Sequence, residues 1–207
     1  MHIALQHTGR RFNREWIFRG VDLSIDAGDS LAILGSNGSG KSTLLQVING
    51  NLQPSEGTIT YTVEGRSIPV EGVYRWISLA TPYQELIWDF TLAESIAFHE
   101  RFKPFAGGLS REDIVELTGL GRHRDKALKY YSSGMKQRVR LALAILSDVH
   151  VILMDEPSMN LDAEGRRWYD ALLRDHLADR TLIVCSNHQE EEYQRCRRSI
   201  NILDYKA

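Results

Sequence analysis

The run LGSNGSGKST at residues 34–43 sets glycines and hydroxyl side chains around one lysine, a composition that builds no core. Gly35, Gly40, Lys41 and Ser42 match G-x-x-x-x-G-K-[ST], the spacing at which a glycine loop lets backbone N–H groups surround phosphate oxygens at a helix amino terminus. Side chains would block that approach, so the segment from Gly35 through Ser36, Asn37, Gly38, Ser39 and Gly40 is the candidate cradle. Lys41 supplies a mobile charge for β and γ phosphates, the Ser42 hydroxyl a ligand for Mg²⁺, and the Thr43 hydroxyl a contact to an α phosphate.

Such a cradle needs a carboxylate on the metal side. VILMDEP at 151–157 places Asp155 and Glu156 where an apolar strand ends. On its own that pattern is a strand meeting solvent. Beside the loop, successive side chains pointing apart allow two roles: Asp155 holds Mg²⁺ through water, and Glu156 faces the γ phosphate and orients or deprotonates the attacking water.

The elements that must carry these residues are legible from hydrophobic period. IALQH and VDLSID alternate as strands, and GTITYTV followed by EG reads as hairpin, which makes an antiparallel region. SLAIL runs apolar into the glycine loop, and Leu44, Leu45 and Ile48 share a helix face after it, giving strand, loop, helix. From about residue 91 the period becomes helical: TLAESIAFHERF, then the turn KPFAGG, then SREDIVELTGL opening on a Ser110–Asp113 capping box. A third helix begins near Ser133 and places Met135, Val139, Leu143 and Leu146 on one face. VHVILM and RTLIVCS, with the helical DAEGRRWYDALLRDHLA between them, follow a βαβ rhythm with parallel strands. The expected fold is α/β: a phosphate-loop core with a mainly parallel sheet, an antiparallel β subdomain and an inserted helical subdomain. The chain reads as one domain, with core and β subdomain over 1–80 and 149–207 and the helical insert over 81–148.

Composition sets the outer limits. The 207 residues, 43% hydrophobic, suffice for a core, and Lys+Arg 25 against Asp+Glu 27 leaves net charge −2, no global case for nucleic acid as partner. The amino terminus lacks a signal-peptide core and no run is long enough to span a membrane, so the expected place is the cytoplasm. Cys185 and Cys196 lack CxxC spacing and are expected to stay reduced.

YSSGMKQR at 131–138 completes an order of motifs that resembles the nucleotide-binding subunit of ATP-binding cassette (ABC) transporters along nearly the whole chain. Ser132, Ser133, Gly134, Gln137 and Arg138 match the family's signature segment, with Tyr131 in place of Leu, Ser133 of the first Gly and Met135 of Gln. The resemblance implies that two subunits pair head to tail, the signature of one closing over ATP and Mg²⁺ in the other's phosphate loop. It implies further that Asp162 in SMNLD links the two sites, besides capping the helix after it, and that His188 contacts the γ phosphate. Phe12 falls where the family stacks an aromatic ring on adenine, Trp16 being the competing candidate. The family's metal-touching glutamine corresponds to Gln84, two or three places later than usual, with Thr81 or Pro82 near the usual spot.

The catalytic set implied is thus Lys41, Glu156 and His188, and the metal set Ser42, Asp155 and Gln84. The implied activity is ATP hydrolysis driving an integral membrane transporter subunit, which would hold this chain peripherally at the inner face of the membrane. Leu86, Ile87, Trp88 and Phe90 form either a docking site for that partner or packing beneath the insert. A regulatory or mechanical ABC ATPase, similar to the cell-division type, is the alternative. A chromosome-type ATPase would need a coiled-coil insertion, for which the 50 residues between Thr81 and Ser132 leave no room, and a small-molecule kinase would lack the signature.

Overall fold

The computed structural model describes residues 1–206. The chain forms two compact units. One holds residues 1–79, 150–156 and the stretch from Asp179 onward, the other 80–149 and 157–178. The sequence reading kept 149–207 together with the core. Residues 157–178 instead group with the helical unit, because the helix they contain packs on the long helix there.

The first unit contains both sheets. Strands β1 (His2–Phe12) and β2 (Glu15–Ile25) are antiparallel, as are β1 and β4 (Glu56–Val63). With β5 (Arg66–Ser67), these strands form a sheet of order β2-β1-β4-β5. Glu64 and Gly65, at φ 51° and 77°, close the β4–β5 hairpin in the left-handed conformations a two-residue turn requires. The second sheet runs β6 (Ile77–Ala80), β7 (Val151–Asp155), β8 (Thr181–Ser186), β3 (Ser30–Leu34) and β9 (Arg198–Asn201). The pairs β7–β8, β8–β3 and β3–β9 are parallel. Every residue of β7 and β8 is buried, as continuous apolar runs in a covered parallel sheet must be. The two sheets and α1 (Lys41–Ile48) share one core that includes Ile3, Phe18, Leu31, Ile33, Leu44, Ile48, Leu153 and Ile183. Strand β9 lies in an Arg-rich segment without alternation and has no sequence signature. The short α6 (Glu190–Tyr193) completes this unit.

The helical unit contains α2 (Leu92–Glu100), α3 (Arg111–Leu117), α4 (Ser133–Leu146) and α5 (Ala163–His176). The expected Ser110–Asp113 capping box opens α3, and an unforeseen one, Thr91–Glu94, opens α2. Its T-x-x-E signature stood in the sequence. The single apolar face expected for α4 needs correcting: Val139 and Leu146 are buried, but Met135 and Leu143 are only half-buried, while Gln137 and Arg140 lie inside. α4 is surrounded, so its polar side chains take backbone partners: Gln137 Nε2 donates to Pro157 O at 3.1 Å and Arg140 Nε to Gln84 O at 2.7 Å.

Candidate active site

In the first unit the chain leaves β3 at Leu34, turns through Gly35–Gly40 and enters α1 at Lys41. Gly40 holds the helix start at φ 108°, and a Cβ there would meet Ile17 Cγ2 at 2.6 Å, so both conformation and space demand glycine. No side chain caps α1 and no acid sits in its first turn, leaving its amino-terminal N–H groups and dipole available to an anion. Lys41 is buried, its Nζ donating to Gly35 O at 2.9 Å and Ser36 O at 3.1 Å and lying 3.6 Å from Glu156 Oε1. The ammonium is thus folded back over the loop it would share with phosphate.

Asp155, the last residue of β7, is 3% exposed. Its side chain is hydrogen-bonded to Ser42, yet Oδ1 is buried without a partner. Burial pushes its carboxyl above the usual range, an effect the Ser42 bond opposes. Ser39 Oγ is also buried and unpartnered. Orphaned buried oxygens are rare in folded proteins, and two around one loop mark a place that a cation and phosphate oxygens would complete. A hydroxyl and a carboxylate, both hard oxygen donors, are the ligands Mg²⁺ accepts, and its remaining positions suit phosphate and water.

Glu156 continues the β7 line by donating its N–H to Cys185 O at 2.9 Å, then turns at φ 44°. His188, exposed beyond the end of β8, sits at φ 57°. Both catalytic candidates therefore occupy a conformation that costs non-glycine residues energy, a pattern concentrated at functional sites. The His188 turn is pinned by Ser186, whose hydroxyl donates to the buried Glu192 Oε2 at 2.5 Å and accepts from Gln189 N at 3.1 Å.

Phe12 ends β1 with 46% of its surface exposed. Trp16, the rival platform, is less exposed and lies against two guanidinium groups, Arg19 at 4.8 Å and Arg11 at 5.5 Å, so Phe12 is the more open ring.

The helical unit carries the rest of the expected site. Ser132 caps α4, its hydroxyl accepting from Met135 N at 3.2 Å, and Asp162 caps α5 by accepting from Gly165 N at 2.7 Å. Ser132, Ser133, Gly134, Arg138, Asn160 and Asp162 line one cleft of about 440 Å³. A Cβ on Gly134 would stand 2.8 Å from Asn160 O, so only glycine lets the two segments touch. Asn160 has no sequence signal of its own. Gln84 is exposed in the loop before α2, and its carbonyl holds Arg140. Ser42 and Asp155 belong to the first unit and Gln84 to the second.

The family model described as ABC transporter matches residues 18–159. ABC transporter I family member 1 of Arabidopsis thaliana is 31% identical over 90% of this chain and 81% of its own length. The lipoprotein-releasing system ATP-binding protein LolD 1 of Caulobacter vibrioides is 32% identical over 96% and 88%. A putative ABC transporter ATP-binding protein of Pyrococcus furiosus has the same fold, with TM-score 0.82 at 19% identity over 100% of both chains. So has an ATP-binding cassette solved as a dimer with ADP and Pi, with TM-score 0.79 at 23% identity over 96% and 93%. The family match spans about two thirds of the chain and the relatives cover nearly all of it, and the chain belongs to the ABC transporter family, as one of its ATP-binding, ATP-hydrolysing subunits.

Proposed function

We propose that two copies of this chain, or one copy and a related subunit, close around two molecules of ATP with Mg²⁺ and reopen after hydrolysis, driving a membrane partner. The observation that carries this reading is the pairing of an uncapped helix start and a folded-back Lys41 with the orphaned Asp155 carboxylate. In its working state Lys41 exchanges the Gly35 and Ser36 carbonyls for phosphate oxygens, a short swing of one flexible side chain. Ser42 and Asp155, both in the first unit, would hold the metal. Bound Mg²⁺ supplies charge neutralisation at the β and γ phosphates. Glu156 accepts the proton of the attacking water, and His188 aligns the γ phosphate.

Ser132, Ser133, Gly134 and Asp162 serve the nucleotide of the opposite subunit. Their cleft has the features for it: a helix start, small residues and hydroxyls at one surface. A lone subunit would then hydrolyse slowly.

For the partner, of the expected Leu86, Ile87, Trp88 and Phe90 the loop ahead of α2 presents Ile87 at 43% and Trp88 at 42% exposure while Leu86 and Phe90 are half-buried, and Tyr83 in the same loop is 82% exposed. Lys136 Nζ stands 4.2 Å over the Trp88 ring. An exposed aromatic and aliphatic cluster of this kind suits a short helix of an integral membrane subunit. Among the described residues no helix is long and apolar enough to cross a membrane, so membrane attachment would come through that partner.

Glu156→Gln tests the assignment. It keeps Ser42 and Asp155 and removes the base, so ATP with Mg²⁺ should shift the variant from monomer to dimer by light scattering, with turnover lost. An unchanged ATPase rate would exclude Glu156 as the catalytic carboxylate, and a variant that stays monomeric at saturating ATP would count against closure around nucleotide.

A further inference from the structure

Arg10 lies two residues before Phe12 on β1, on the same side of the strand, and its guanidinium stands 4.7 Å over the Phe12 ring. The arrangement has a local cost. Arg10 Nε is buried with no hydrogen-bond partner, and leaving a charged group's donor unmade in this way is expensive. What holds the side chain is the ring itself and a single hydrogen bond, from Nη1 to Gln53 O at 2.9 Å. Gln53 follows the turn that ends α1, where Leu52 N donates to Gln46 O at 3.2 Å. One arginine therefore ties the exposed ring to the segment leaving the phosphate-binding helix.

Trp16 makes the contrast. Its two arginines lie on the other side of the strand pair, where Arg11 is the register partner of Trp16, and Arg19 is further held by Glu56 at 2.7 Å. Guanidiniums on this β subdomain thus sit over both aromatic rings, but only Phe12 keeps close to half of its surface open.

We propose that Arg10 is a positioning residue for the nucleotide base: it fixes the Phe12 ring as a stacking platform and draws π density from the open face. The proposal rests on reading Phe12 as the base platform. A planar guanidinium is suited to this where an ammonium is not, because it stacks face to face on a ring and is weakly hydrated. A flat base then gains a rigid partner whose rotamer is already chosen, and stacking of this kind is worth enough to read in a titration.

The test is calorimetric titration of the full chain with ATP and, separately, with inorganic tripolyphosphate, which has no base. Arg10→Leu should weaken ATP binding about fivefold and leave tripolyphosphate within about twofold. Arg10→Lys, which keeps the charge and alters the fold least, should fall between wild type and Arg10→Leu for ATP. Equal losses for both ligands, or full ATP affinity in Arg10→Lys, would make Arg10 a long-range charge and overturn the proposal. Phe12→Leu separates the two layers. If it weakens ATP while Arg10→Leu does not, the platform stands without Arg10; if it leaves ATP unchanged, the platform reading fails and Arg10 falls with it.

Discussion

Two helix starts in this protein carry small residues and a serine or glycine cap, and they are built to opposite standards. At α1 the cap is Gly40, no side chain satisfies the first N–H groups, and two buried oxygens nearby, Ser39 Oγ and Asp155 Oδ1, lack partners. At α4 the Ser132 hydroxyl accepts from Met135 N, and at the neighbouring α5 start Asp162 accepts from Gly165 N. The half-buried His99 of the helical unit is treated the same way: His99 Nε2 and Ser147 Oγ lie 2.7 Å apart, and the His99 ring stacks on Phe105 at 5.7 Å. The first region holds unmet electrostatic demand that a ligand can satisfy. The second is already satisfied and has only spare capacity, since a capping hydroxyl that accepts one hydrogen bond can still donate another. Affinity should therefore reside at α1, and the α4 start should contribute only once closure brings it to a nucleotide.

The largest effect that would break this contrast is on Lys41. Lys41→Ala should weaken ATP binding roughly 100-fold by calorimetry, since charged hydrogen bonds to phosphate are lost in a dry site. A loss near twofold would mean that the loop does not hold the affinity.

Next in size is the acid response of the helical unit. Burial pulls the His99 imidazole down to about 4, with Lys103 adding to the effect. His99 therefore stays neutral in the folded protein while the unfolded chain takes up a proton near 6.5. Stability is full above about pH 6.5 and is lost as pH falls from there toward 4. In urea titrations wild type should lose on the order of 2 kcal/mol more than His99→Gln between pH 7.5 and 4.5. Parallel losses in the two proteins would remove His99 as the cause.

Ser132→Ala should cut steady-state ATPase roughly tenfold and cost about 1 kcal/mol of stability as a lost cap, while single-site ATP affinity stays within about twofold. A matching fall in affinity would erase the difference between the two helix starts.

The smallest effect is a gain. Burial raises the Asp155 carboxyl above its unfolded value, so its contribution to stability is full at low pH and is lost as pH rises through the folded value. Burial of this carboxyl is therefore a net cost to the ligand-free protein at neutral pH. Asp155→Asn should raise the melting temperature of that form by about 3 °C while removing the Mg²⁺ dependence of ATP binding. A lower melting temperature would show that Asp155 is satisfied without a ligand.

Much of this was legible in the residues. The glycine spacing of 35–40, the apolar runs of β3, β7 and β8, and the Ser110–Asp113 cap all obey local rules of dihedral angle, period and capping, and these act within a few residues. Strand β9 was not, because an edge strand among arginines forms through pairing with β3 rather than through its own alternation. Nor was the surrounded state of α4, where Gln137 and Arg140 go inside because Pro157 O and Gln84 O are there to receive them.

The sequence by itself determined the order of motifs, the family they spell and the small-residue starts of α1 and α4, because each follows from short-range geometry. Only the tertiary structure decided which polar atoms are left in want of a partner, that Gly134 must be bare to meet Asn160, and that Arg10 lies on the Phe12 ring. Burial and partnership depend on groups far apart along the chain, and no local pattern records which neighbours folding will bring.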